Sequence, residues 1–177
     1  MTIETWKNKH GEGLPDGPWN DEPDKAVWVD EATNLDCMIH RNRYGALCGY
    51  VAVGHDHPLH KTSYSDLDDL GVDVHGGLTF AGDCDNSEDT PQFGICHIPA
   101  EGQPSDVWWF GFDCGHAFDL SPNFPGVWDA DLDSAIVELV NGIQQSGPSK
   151  GDTYRTFEYT KGEVESLAKQ LTEIGDK

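Results

Sequence analysis

The stretch Trp108-Trp109-Phe110-Gly111-Phe112-Asp113-Cys114-Gly115-His116-Ala117-Phe118-Asp119 decides how the chain is read. An apolar run ends abruptly in Asp113, His116 and Asp119. In an extended chain, successive side chains point to opposite faces. Trp108, Phe110, Phe112 and Cys114 then share one face, which reads as core. Trp109, Gly111 and Asp113 share the other, where Gly111 leaves space immediately before Asp113. A turn at Gly115 would bring Asp113, His116 and Asp119 to one broad side. A continued strand would alternate them.

Val72-Asp73-Val74-His75-Gly76-Gly77-Leu78-Thr79-Phe80 has a similar character. Read as a strand, it puts Val72, Val74, Leu78 and Phe80 on one face and Asp73, His75, Gly77 and Thr79 on the other. If the two segments lie near each other in one sheet, His75 and Asp113 line one polar pocket.

Working outward, Lys25 to Val53 reads as a β-meander. Its strands are Val27–Val29, Cys37–His40 and Ala46–Val53, with a turn at Asn42–Gly45. Gly49 inside the third marks a bulge or a close backbone approach. A polar loop from Gly54 to Asp69 carries His55, His57 and His60. Phe93–Ile98 is a further strand, after an acidic loop at Asp83–Asp89, and Pro99–Pro104 is a turn region. Leu132, Ala135, Ile136, Leu139, Val140 and Ile143 form a helical stripe that Ser146-Gly147-Pro148 stops. Tyr154–Tyr159 reads as a strand. A last helix is expected to start at Thr160, with Glu163 completing a capping box and Val164, Leu167, Ala168, Leu171 and Ile174 as its stripe. Gly175 is its natural stop. The expected fold is α+β: a largely antiparallel sheet with two C-terminal helices packed on one face. Residues 1–24, rich in Gly, Pro, Asp and Asn, read as an irregular arm pinned by Trp6 and Trp19. Residues 25–177 read as a single domain.

The chain carries 11 Lys and Arg against 32 Asp and Glu, a formal charge of −21. Such a surface repels nucleic acid and anionic membranes, so neither is an expected partner. The opening Met1-Thr2-Ile3-Glu4-Thr5-Trp6 lacks the basic start and apolar core of an export signal. No apolar run is long enough to span a bilayer. The 5 cysteines are odd in number and lack a CxxC pair. Free thiols in a reducing cytoplasm fit better than a disulfide framework.

Asp and His in this arrangement can bind a divalent metal, or supply a general base with its orienting acid. His75, Asp113 and His116 are the candidate catalytic residues. Asp73, Gly76, Gly77, Thr79 and Asp119 are the candidate ligand-binding residues. In that scheme His75 or His116 is the base, and Asp113 orients it or binds metal. The spacing D-x-x-H-x-x-D is no specific metal signature. The plain structural alternative is that Asp113 caps a turn and His116 is a satisfied buried histidine. Gly76-Gly77 allows a ligand to lie against the backbone, or marks a β-bulge. Cys84, Cys96, His97, Cys114 and His116 lack the close pairs of a zinc site. His55, His57 and His60 form a loop cluster that reads as exposed and pH-sensitive, with weak metal binding the alternative. Cys114 reads as a buried free thiol, with a nucleophile the lesser reading.

Four motifs, Gly17–Asp24, Gly45–Val51, His75–Phe80 (HGGLTF) and Trp108–Asp119 (WWFGFDCxH), occur in order over residues 17–170. In these the chain resembles a family of uncharacterised proteins common in bacteriophage and prophage genomes. It departs from the pattern at Asp36 and His40, where apolar or smaller residues are expected. The resemblance implies a phage-type accessory protein in the cytoplasm of the bacterial host, and carries over no catalytic residues. From the polar Asp/His pocket, and not from the resemblance, the expected function is that of a hydrolase or transferase directed at a small molecule or nucleotide. The alternatives are a non-enzymatic acidic inhibitor or adaptor of a host protein, or a nucleotide-sequestering sponge.

Overall fold

The computed structural model describes residues 2–8, 11–68, 70–83, 94–95, 102, 106–123 and 152–176. The expected strand Phe93–Ile98, the helix through 131–143, most of the acidic loop after Asp83, and Cys84, Cys96 and His97 fall largely or wholly outside them. The described elements are β1 (Glu4–Trp6), a short 3-10 turn (Pro18–Asp21), β2 (Lys25–Val29), β3 (Asp36–Arg41), β4 (Leu47–Gly54), α1 (Tyr64–Asp68), β5 (Phe80–Gly82), β6 (Val107–Asp113) and α2 (Phe157–Gly175). The strands form one antiparallel sheet in the order β1-β2-β3-β4-β6-β5. The fold is α+β, with α2 packed against the sheet.

The meander forms as its alternation predicts, because both faces of β3 and β4 are apolar enough to be buried. One face meets α2. Ile39, Val51, Phe110 and Phe112 pack there with Val164, Leu167, Ala168 and Leu171. Trp109, Met38, Ala52 and Val107 form a separate cluster on the other face. Gly49 serves a close approach: a Cβ there would lie 2.5 Å from both the Phe112 ring and Val164. The space beside Gly111 is filled as well, since Tyr50 places its ring 2.4 Å from where a Cβ would stand.

Several expectations are corrected. Val72–Phe80 is not a strand. Gly76 and Gly77 adopt φ of 68° and 84°, and Gly77 N–H donates to Val74 O at 3.0 Å, so the chain turns. Burial of Val74 and Leu78 on either side of that turn holds it down. The segment rejoins the sheet where Thr79 N–H donates to Gly111 O at 2.9 Å, just before β5. Glu4–Trp6, expected within an irregular arm, pairs with β2 as an edge strand.

Tyr154–Tyr159 is not a strand either. α2 begins at Phe157, three residues before Thr160, and Thr156 is its cap, accepting from Tyr159 N–H at 3.2 Å. Thr160 is buried one turn in, and its hydroxyl donates to Thr156 O. The Thr160/Glu163 pattern is therefore not used as a capping box; Glu163 is turned to another partner. The first amide of α2, Phe157 N–H, donates to Glu22 Oε1 at 2.8 Å. A carboxylate from the N-terminal segment thus sits at the positive end of the helix.

The histidine loop is not uniformly exposed. His57 Nδ1 accepts from Leu59 N–H, so its Nε2 carries the proton and donates to Leu171 O at 3.0 Å. His60 packs near Trp108, with ring centroids 6.3 Å apart. Only His55 remains largely in solvent, beside Asp56. No helix among the described residues is long and apolar enough to cross a membrane.

Candidate functional site

The chain does turn after β6. Asp113 Oδ1 accepts from Gly115 N–H at 2.9 Å, and Asp119 N–H donates to His116 O at 3.0 Å. A parallel bridge between Asp119 and Thr153 then ties this turn to the chain entering α2. Three segments meet as a result: the glycine turn at 74–77, the turn at 113–119 and the first two turns of α2.

Asp119 is the centre. Its side chain is 1% exposed. Oδ2 accepts from His75 Nε2 at 2.7 Å and from His116 N–H at 3.1 Å, while Oδ1 accepts from Arg155 Nε at 2.7 Å. Burial pushes its carboxyl up, but the hydrogen bonds from Arg155 and His75 outweigh burial and hold it below the ordinary carboxylate value. It is therefore ionised at neutral pH and accepts only. His75 must carry its proton on Nε2. In the neutral imidazole, Nδ1 then accepts from the Tyr159 hydroxyl, 3.0 Å away. Glu163 Oε2 accepts from His75 N–H at 2.8 Å and fixes the backbone that carries the ring.

Asp113 and His75 belong to one cluster, but His116 stands between them. The His116 and His75 ring centroids are 5.8 Å apart, and His116 Nε2 lies 3.9 Å from Asp113 Oδ1. That Nε2 is buried and has no hydrogen-bond partner, unlike the satisfied histidine of the structural alternative. Asp113 Oδ2 accepts from the Thr79 hydroxyl at 3.1 Å. Gly76 makes the arrangement possible: a Cβ there would fall 1.9 Å from the His116 ring. Gly77 provides the turn and faces open space.

Of the expected site residues, His75, Gly76, Thr79, Asp113, His116 and Asp119 come together. Asp73 does not join them through its side chain. Its backbone N–H and C=O are clamped by the Gln170 amide, both at 2.8 Å, which anchors the loop to α2. Tyr159 and Arg155 are the two site residues that sequence reasoning missed. Arg155 immediately precedes the Thr156 cap, and Tyr159 lies in the first turn of α2. The strand expected over Tyr154–Tyr159 concealed that turn.

Burial pushes the Cys114 thiol up to about 12, and likewise Cys48. Neither has the lowered pKa of a reactive nucleophile. Among the described residues no group of three or more His, Cys, Asp or Glu side chains is placed to hold a metal ion. Both Asp119 oxygens are already committed to protein donors.

No family model, no curated protein and no solved structure matches this chain.

Proposed function

We propose that the chain is an acid–base catalyst of hydrolysis or group transfer on a small molecule. The carrying observation is the hydrogen-bonded line Asp119–His75–Tyr159, which runs from a buried carboxylate to a hydroxyl on a residue 37% exposed. Burial and the nearby Glu163 carboxylate raise the Tyr159 phenol above its usual value, so a free phenolate is disfavoured. Tyr159 suits a relay better than a nucleophile. In the base direction, a water or substrate hydroxyl gives its proton to the Tyr159 oxygen while the Tyr159 proton passes to His75 Nδ1. The imidazolium formed is stabilised by ionised Asp119. The activated oxygen attacks, and the reverse relay protonates the leaving group. Tyr159 stays neutral before and after each transfer.

The resemblance to phage proteins supports a setting in the bacterial cytoplasm, as an accessory protein of the phage. A purely electrostatic inhibitor or adaptor would need carboxylates on an open face. It has no use for a carboxylate that is buried and bonded to an imidazole.

The test is consumption of small molecules from a bacterial cytosolic extract, followed by mass spectrometry, together with a panel of chromogenic esters, amides, phosphoesters and glycosides. Wild-type protein is expected to consume one chemical class. Tyr159→Phe and His75→Gln should each slow it by about 10²- to 10⁴-fold. No consumption by wild-type protein, or variants as active as wild type, sinks the reading.

A further inference from the structure

Phe118 lies in the turn between His116 and Asp119. It has φ of 74° and is 77% exposed, the most exposed large hydrophobic among the described residues. Its backbone has no freedom to relax. Phe118 O accepts from Thr153 N–H at 2.9 Å, and Asp119 N–H closes the turn onto His116 O at 3.0 Å. Glycine, asparagine or aspartate suits such a left-handed position, whereas a bulky aromatic there is an outlier. The turn after β2 shows the ordinary solution, with Asn34 at φ 58°. Phe118 bears backbone strain, yet its exposed ring gains little packing in return. Strain kept without a packing return among the described residues points to a ligand for that ring.

A second observation lies alongside. Tyr159 is also among the exposed large hydrophobics, and the Arg155 guanidinium lies over its ring at 5.0 Å. Flat groups therefore border the same polar cluster. Phe118 stands in the chain between His116 and Asp119, whose backbone atoms close its turn, so its exposed ring is carried by the segment that supplies two members of that cluster.

We propose that Phe118 is a stacking platform and that the site it borders takes a small molecule bearing a planar aromatic ring. This rests on reading the His75–Tyr159 cluster as a ligand site, and it names the substrate class. Aromatic stacking is tolerant of ring identity because every ring offers a π face.

The test is ligand-observed saturation-transfer NMR with uncharged probes on the full chain. Adenosine and benzamide are the planar probes; ribose and cyclohexanecarboxamide are their non-planar counterparts. Wild-type protein is expected to bind the planar pair and not the other. Phe118→Ala should weaken planar binding about tenfold, and Phe118→Trp should retain it. Phe118→Gly should lose binding yet raise Tm, because glycine relieves the backbone while keeping the turn. Equal signals from wild type and Phe118→Ala, equal signals from planar and saturated probes, or no binding by either pair would overturn the proposal. Tyr159→Phe separates it from the catalytic reading. Planar binding that survives in that variant, in a protein that turns over nothing, would leave the stacking site standing without the catalysis.

Discussion

The two carboxylate–arginine–tyrosine clusters that flank the start of α2 are built from the same residue types and end in opposite states. In the first, Arg41 donates to Asp24 Oδ1 at 2.7 Å, to Gly45 O at 2.8 Å and to the Tyr154 oxygen at 3.1 Å, with Glu22 at 3.4 Å. Tyr154 O–H donates to Glu22, and Asn8 N–H donates to the second Asp24 oxygen. Arg41 is fully buried and makes four hydrogen bonds there. In the second, Arg155, the next residue after Tyr154, pairs with Asp119. There the line runs on through His75 to a surface hydroxyl, and His116 Nε2 is left without a partner. The first cluster is closed and holds the N-terminal segment to α2. The second is half open: it ends at a surface hydroxyl, and His116 Nε2 is the unmet atom that the proposed function would offer a ligand. Residue type does not separate the two clusters; what separates them is that the second runs on through His75 to a hydroxyl at the surface.

The sharpest way to break this contrast is Arg41→Ala. It strands the Asp24 and Glu22 carboxylates away from water, so urea denaturation should show a loss of about 3–5 kcal/mol. A loss under 1 kcal/mol would mean the first cluster is not a structural clasp.

Asp119→Asn comes next. It removes a charged acceptor from the His75 and Arg155 bonds and should cost about 2 kcal/mol at neutral pH. The pH dependence carries the sign. Asp119 is held below the ordinary carboxylate value in the folded protein, so the unfolded chain takes up the proton first as pH falls. Its contribution is complete above about pH 4 and is lost as pH falls through the lower folded value. Wild-type stability should therefore decline more steeply below pH 4 than that of Asp119→Asn. Parallel curves would remove Asp119 from the acid response.

Tyr159→Phe should change stability least, by under about 0.5 kcal/mol, because the lost hydroxyl is at the surface. On the proposed function, its effect is read in turnover instead. A large loss of stability from this variant would make the second cluster a clasp like the first.

Much of the fold could be read directly. The alternation in Val27–Val29, Cys37–His40, Ala46–Val53 and Trp108–Phe112 survives because both faces of these strands have apolar partners. The stripe Val164–Leu171 survives for the same reason. The reading failed where glycine or a distant partner outweighed local pattern. Val72–Phe80 alternates like a strand, yet Gly76 and Gly77 turn it. Thr160 and Glu163 spell a capping box, yet α2 starts earlier because Thr156 caps it and Glu22, far away in sequence, accepts from its first amide.

The candidate site divides along the same line. Residue types and spacing alone marked His75, Asp113, His116 and Asp119 as polar groups at the ends of apolar segments, since burial forces such groups to seek partners. Which carboxylate meets which imidazole was settled only in three dimensions. Asp119 rather than Asp113 bonds His75, and Arg155, just before the cap of α2, and Tyr159, in its first turn, enter from more than thirty residues away. Hydrogen bonds act over about 3 Å, and the chain brings those atoms together only through the packing of α2 on the sheet.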